Sequence, residues 1–199
     1  MQSLYLPNDG YIIGSLSEEL LDDLIIDSMG CESNGPIETD VKSYDGSETC
    51  PHYAVSKHNI EKLEKFLTPY IEEYSKNFPY ISKLSFLSSN SPLVFLEPWY
   101  NVQGPNHFLP GHVHGGILSY SIWLKLPARS EFVFTYSSIT GNLFDHHISL
   151  SPADVGNFVL FPSNLNHAVH PYKSDNPQET RISLSGNIAF QGISELISQ

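Results

Sequence analysis

The chain has 199 residues, of which 40% are hydrophobic and 12% aromatic, enough for one packed domain with or without a helical extension. Its formal net charge is −12, the wrong sign for binding nucleic acid or an anionic membrane surface, so both partner classes are set aside. Charged residues are only 16% of the chain, so Ser, Asn and Gly fill much of the surface.

The first predicted element is a helix over "SLSEELLDDLIIDSMG", with Ser15 and Glu18 at capping-box spacing and Gly30 as its stop. Leu16, Leu20, Leu24 and Ile25 share its apolar face. Cys31 to Val55 is rich in Gly, Pro, Ser and Asp and reads as a long loop, of the kind that forms lids. A second helix is expected from about Ser56 to Asn77, with Ile60, Leu63, Leu67, Tyr70, Ile71 and Tyr74 as its buried stripe.

From about Ser91 the apolar period changes to two. The candidate strands are "PLVFLEPWYNV", "LSYSIWLKL", "EFVFTYSS", "DHHISLS", "NFVLFPS", "HAVHPY" and "RISLSGNIAF", punctuated by Gly, Pro and Asn. The fold class is therefore mainly β with N-terminal helices, a jelly roll or double-stranded β-helix. One domain is expected, with residues 1–90 as a helical and loop part packed on a barrel of residues 91–199.

Chemistry concentrates in "LPGHVHGGILSYSIWLKL". On a strand, residues i and i+2 face the same way, so His112 and His114 would be parallel imidazoles about 6.6 Å apart at their α-carbons. His167 lies 53 residues after His114, beyond Gly156 and Pro162 in "VGNFVLFPSNLNHAVHP". A jelly roll can bring that segment to the same barrel mouth. Three histidines on one side of an ion leave other coordination positions open, which is a catalytic arrangement. His107 and His170 fall out of phase with these ligands, His146 and His147 belong to a surface strand, and His52 and His58 are expected to face solvent.

"RISLSGN" alternates Arg181, Ser183, Ser185 and Asn187 with apolar Ile182, Leu184 and Ile188. The polar face either meets water, as on an edge strand, or looks into the barrel. In the second case Arg181 and Ser183 could hold a carboxylate, the guanidinium through a bidentate fork.

Together these residues resemble the iron(II)/2-oxoglutarate dioxygenase superfamily, and most of all a branch of oxygenases found in phages and bacteria. The resemblance rests on "WYN" at 99–101, "HVH" at 112–114, "LSYSIWL" at 118–124, "LFPSNLNH" at 160–167 and "RISLSGN" at 181–187. It covers roughly the last 100 residues. It implies Fe(II) held by His112, His114 and His167, with 2-oxoglutarate as co-substrate. Arg181 and Ser183 would bind the distal carboxylate, and Asn101 would touch the co-substrate. The implied reaction couples decarboxylation of 2-oxoglutarate to oxidation of a C–H bond, hydroxylation by default, in a dry barrel lined by Trp99, Trp123, Phe158 and Phe161.

His114 stands where the wider superfamily has an aspartate or glutamate, and Tyr120 where the branch commonly has glycine. The set reads either as a three-histidine site or as a two-ligand or inactive site with His114 beside it. Three neutral imidazoles leave a divalent charge uncompensated, which favours a dianionic co-substrate and weakens the hold on the metal. Three rival readings stay open. A cupin-type metalloprotein would normally carry a glutamate near Leu118 or Ser119. A zinc hydrolase or lyase would need a general base. The third is a non-catalytic jelly-roll binding protein. The substrate, a small molecule or a peptidyl group, is not legible.

No run approaches the roughly 18 apolar residues of a membrane span, and "MQSLYLPNDGYIIG" has neither the basic start nor the apolar stretch of a secretory signal. Cys31 and Cys50 form no C-x-x-C, so a reducing, cytoplasmic setting is expected over a single loop disulfide. The oligomeric state is not legible, and a homodimer stays open.

Overall fold

The computed structural model describes residues 9–37, 50–84 and 92–191. Two antiparallel sheets face each other. The larger contains β1 (Ile12–Ser15), β2 (His52–Ala54), β3 (Leu93–Phe95), β4 (Trp99–Gln103), β6 (Leu118–Lys125), β9 (Asn157–Pro162) and β11 (Arg181–Phe190). Its order is β1-β9-β6-β11-β4-β2, with β3 pairing on β11 beyond β4. The smaller sheet runs β5 (Leu109–His112), β10 (Asn166–Val169), β7 (Ser130–Ser137), β8 (Leu143–Leu150). This is the mainly β, double-stranded β-helix architecture expected from the alternating pattern.

Two helices cover the outer face of the larger sheet. The second, α2 (Lys57–Asn77), matches its expected span, and Ser56 caps it by accepting from Asn59 N–H at 3.4 Å. Pro69 sits inside this helix on an exposed turn, where water can satisfy the carbonyl left without a donor. The first helix, α1, is shorter than expected, Glu18–Gly30, because the residues before it pair with β9 as strand β1. Its N-cap is Ser17, whose hydroxyl accepts from Leu20 N–H. Ser15 ends the strand and donates to Asn157 Oδ1. Sheet pairing thus overrides the capping-box spacing.

The segment 31–55 is also more ordered at its ends than a loop. Cys31–Asn34 form a 3₁₀ turn and His52–Ala54 form β2, paired with β4. Residues 38–49, the middle of the expected lid, lie outside the described residues.

Alternation in β6 and β11 explains the layering. Leu118, Ile122 and Leu124 of β6, with Leu184 and Ile188 of β11, pack against Leu20, Leu24, Leu63 and Leu67 of the helices. Trp123, Val159 and Phe161 face the other way and join Phe132, Phe134 and Leu150 of the smaller sheet in a second core. Strand β6 is buried on both faces, so it reads as nearly continuous burial. Asp27 ties the helix layer to the sheet: its carboxylate accepts from Tyr100 Oη at 2.8 Å and from Ser56 N–H at 3.0 Å. Burial is the largest single influence on its carboxyl and raises the pKa, but the hydrogen bonds from Ser56, Tyr100 and Asn59 together outweigh it and hold the group below its usual range.

Strand β11 lies at the centre of the sheet between β6 and β4, not at an edge. Its polar face therefore cannot meet bulk water as an edge strand's would. Gly186 of β11 is the register partner of Tyr120, and a Cβ there would lie 2.5 Å from the Tyr120 ring carbon Cζ. The missing side chain is what makes room for a buried tyrosine at position 120. Gly186→Ala is expected to cost roughly 1–3 kcal/mol by overpacking, read as a lower midpoint in denaturant unfolding. An unchanged midpoint would mean that the ring moves aside freely.

Candidate metal and co-substrate site

Three imidazoles meet at the barrel mouth between the sheets. His112 ends β5 and is the register partner of His167 on β10. Their ring centroids are 4.3 Å apart; His112 to His114 is 4.8 Å and His114 to His167 is 5.0 Å. One ligand atom from each can be chosen so that all lie within 4.8 Å of one another. His114 is not a second strand residue beside His112, as i, i+2 alternation suggested. It lies past the end of β5, and its amide donates to Ser163 O in the turn between β9 and β10.

The backbone fixes two of the tautomers. His112 Nδ1 is 2.7 Å from Pro110 O, and His167 Nδ1 is 3.0 Å from Leu165 O. A carbonyl only accepts, so each Nδ1 carries the proton and each Nε2 presents a lone pair. His167 is buried among Phe132, Phe134 and Phe161, with the Phe132 ring stacked on it at 5.3 Å. Burial, then the positive charge His112 could carry, lowers its pKa to about 3. Burial followed by His112 and His52 lowers that of His114 to about 4. Both are neutral at physiological pH, the state in which an imidazole ligates a metal.

The imidazoles open on a cavity of about 280 Å³ whose walls include Trp99, Asn101, Ser183, Ser185, Phe132 and Phe161. Among the described residues, no Asp or Glu lines it. The lining is largely apolar, as expected, but not all the expected aromatics contribute. Trp123 faces the core between the sheets, edge-on to Phe132. Phe158 lies on the opposite face of β9 from Phe161 and packs under α2 against Phe66 and Tyr70.

The polar face of β11 turns inward. Ser183 and Ser185 are wall residues. Arg181 belongs to the next residue pair beyond the wall, with Gln103 as its partner in register where Ser183 has Asn101. Arg181 is 1% exposed. Its Nε donates to Gln103 Oε1 and its Nη1 to His170 O, each at 2.9 Å, and Tyr172 lies over the guanidinium at 5.4 Å. Nη2 is buried with no hydrogen-bond partner among the described residues. Burial lowers the guanidinium pKa to about 10, so the group remains charged at neutral pH. Asn101 is 2% exposed and bonded to Trp99, Ser183 and Ser185.

His52 was expected to face solvent, but it lines the cavity and stacks on Trp99 at 5.5 Å. Burial and His112 lower its pKa. The signal that could have found it, a strand pairing with β4, is only three residues long. The remaining histidines stay apart from the cluster. His146 contacts Tyr11 Oη, His147 and His170 share the Glu131 carboxylate, and His107 Nδ1 accepts from Gly104 N–H. Asp145 bonds Thr135 on the exposed strand β8.

Residues 97–187 match the model of a family described as "Putative 2OG-Fe(II) oxygenase". No curated protein matches the chain. Among solved structures, a prolyl-4-hydroxylase of Pseudomonas putida is 16% identical with a TM-score of 0.57, over 92% of this chain and 94% of that one. A viral collagen prolyl hydroxylase of Paramecium bursaria Chlorella virus-1, in complex with 2OG, is 16% identical with a TM-score of 0.56, over 91% and 96%. HygX of Streptomyces hygroscopicus, with nickel, 2-oxoglutarate and hygromycin B bound, is 11% identical with a TM-score of 0.59, over 92% and 84%. At these identities the likeness is one of fold.

The depressed histidine pKa values set a direction for pH dependence. Below the unfolded value of 6.5, the unfolded chain protonates His114 and His167 while the folded chain does not until about 4 and about 3. The unfolded state then binds more protons, so folding stability falls as the pH drops through that window. The melting temperature of the metal-free protein should decline between about pH 6.5 and pH 4, and more gently in the His114→Gln, His167→Gln double variant. Equal slopes would mean that other groups carry the acid sensitivity.

Proposed function

We propose that the chain is an Fe(II)- and 2-oxoglutarate-dependent oxygenase, as the family model matched by residues 97–187 supports, that His112, His114 and His167 hold its Fe(II), and that Arg181 and Ser183 hold the distal carboxylate of 2-oxoglutarate. The single observation that carries the ligand assignment is the convergence of three imidazoles, two with Nε2 left free by Nδ1 bonds to backbone carbonyls. Support for the carboxylate assignment is the buried guanidinium with one unpartnered nitrogen, on the inward face of the strand that also carries Ser183. An uncompensated buried cation is costly, and an anionic ligand relieves that cost.

The metal, when bound, supplies redox chemistry with dioxygen. The protein's own part is to bind, orient and exclude water. Three neutral imidazoles add no negative charge, which leaves the chelating dianion as the anionic partner of the metal. Phe132 and Phe161 keep one side of the cavity dry. The stoichiometry is one dioxygen, one 2-oxoglutarate and one substrate C–H going to succinate, carbon dioxide and an alcohol. Hydroxylation is the outcome we assign, in keeping with the names of two of the structural neighbours. Among the described residues, the cavity lining offers no carboxylate for the general base of a zinc hydrolase.

We place the protein in the cytoplasm of a bacterium or of a phage-infected cell, acting on a small molecule or peptidyl group and not on nucleic acid or membrane. Support comes from two cysteines that are both free and buried and from the acidic net charge. No described helix is long and apolar enough to cross a membrane.

The decisive experiment incubates the purified protein with Fe(II), 2-oxoglutarate and dioxygen and measures succinate and carbon dioxide. Equal yields of both, abolished by omitting any one component, are expected; no succinate under any condition overturns the reading. His112→Ala and His167→Ala should each strip the metal, seen by metal analysis after anaerobic gel filtration. Arg181→Ala should keep its iron and raise the KM for 2-oxoglutarate by about 10–100-fold, the usual worth of a hydrogen bond to a charged group. An unchanged KM removes Arg181 from the clamp.

A further inference from the structure

One wall of the cavity carries a chain of hydrogen bonds whose direction is forced by the residue types. Trp99 Nε1 is 3.1 Å from Asn101 Oδ1. An indole N–H only donates, so the amide oxygen of Asn101 must face Trp99 and its NH₂ must face the other way. That NH₂ lies 3.3 Å from Ser183 Oγ and 3.0 Å from Ser185 Oγ. An amide nitrogen has no lone pair to offer, so both serine oxygens accept. Each hydroxyl then has its single proton left over. Among the described residues, neither hydroxyl gives that proton to a protein acceptor, and both serines line the cavity.

We propose that Ser185 and Ser183 form a paired-hydroxyl donor site for the anionic co-substrate, with its polarity set by Trp99 through Asn101. The inference rests on the co-substrate reading above and adds three roles to it. Ser185 becomes a second hydroxyl ligand of the bound dianion. Trp99 and Asn101 become positioning residues that act through the serines, since both amide protons of Asn101 are already in use.

The chemistry is selective. A carboxylate is an acceptor only, so it suits a wall that presents only protons. A serine pair without the relay could rotate its protons away and serve a donor equally well. The relay removes that freedom before the ligand arrives, which lowers the reorganisation needed on binding. Asn101 sits in register between Ser183 on β11 and His52 on β2, and Trp99 between Ser185 and Ala54, so sheet pairing fixes all four members.

The test measures dissociation constants anaerobically by calorimetry on the Fe(II)-loaded protein, for 2-oxoglutarate and in parallel for oxalate. Oxalate chelates the metal but has no distal carboxylate to reach the serines. Trp99→Phe keeps the ring and removes the only donor that starts the relay. Asn101→Asp is isosteric but can only accept, so it draws both hydroxyl protons toward itself and adds a negative charge. We expect 2-oxoglutarate affinity to fall about tenfold in Trp99→Phe and Ser185→Ala, and about 100-fold in Asn101→Asp, with Ser185→Thr restoring it. Iron content and oxalate affinity should stay within about twofold of wild type. Parallel weakening of both ligands would show a merely structural role and overturn the relay, as would unchanged 2-oxoglutarate binding in Trp99→Phe and Ser185→Ala. A wild-type protein that binds oxalate but not 2-oxoglutarate would instead overturn the co-substrate reading itself, and the relay with it.

Discussion

The pairing of β5 with β10 is the constraint on which the site depends. It sets His112 opposite His167 in register, and each ring is then turned by a bond from its own Nδ1 to a carbonyl two residues before it. Two side chains 55 positions apart are thereby brought to ring-contact distance without any direct bond between them. His114 joins through its backbone, held to the turn that precedes β10. A slip of one residue in that pairing would turn His167 to the opposite face of its strand and empty the cluster.

Much of this was legible in the sequence, for identifiable reasons. Residue type and spacing flagged His112, His114 and His167, because imidazoles between glycines and before a strand are unusual and chemically specific. The alternation of "RISLSGN" marked an inward-capable polar face. Its position in the sheet was not legible, since strand order depends on long-range pairing that a local pattern does not encode. β1 was hidden for a related reason: four residues cannot show a period, and a helix cap two residues later offered a competing signal. His52 was lost in the same way within a Gly- and Ser-rich segment. Phe158 is different. Its odd spacing from Phe161 already places the two on opposite faces of one strand, so parity could have excluded it from the cavity.

The buried polar residues of β4 and β11 would be a liability in a structural sandwich. Asn101, Gln103 and Arg181 are all nearly inaccessible, and their register partners are one another or the serines. They satisfy each other almost fully: Gln103 orients the guanidinium, and Asn101 bridges two hydroxyls. What is left over, among the described residues, is a small set of donors: Arg181 Nη2, Gln103 Nε2 and the two serine protons. Such networks usually stay closed in a core that serves stability alone. Here the Asn101, Ser183 and Ser185 end of the network opens on the cavity.

The two halves of the site ride on different sheets. His112 and His167 belong to the smaller sheet, whereas Ser183, Ser185 and Arg181 belong to the larger one, which is clamped between the helices and the inner core. Ring packing such as Phe132 against Phe161 fills the interval between them. The distance between the imidazole cluster and the guanidinium is consequently a spacing maintained by aromatic thickness. Trimming one of those rings would act like shortening a strut, drawing the imidazoles and the guanidinium together while touching neither.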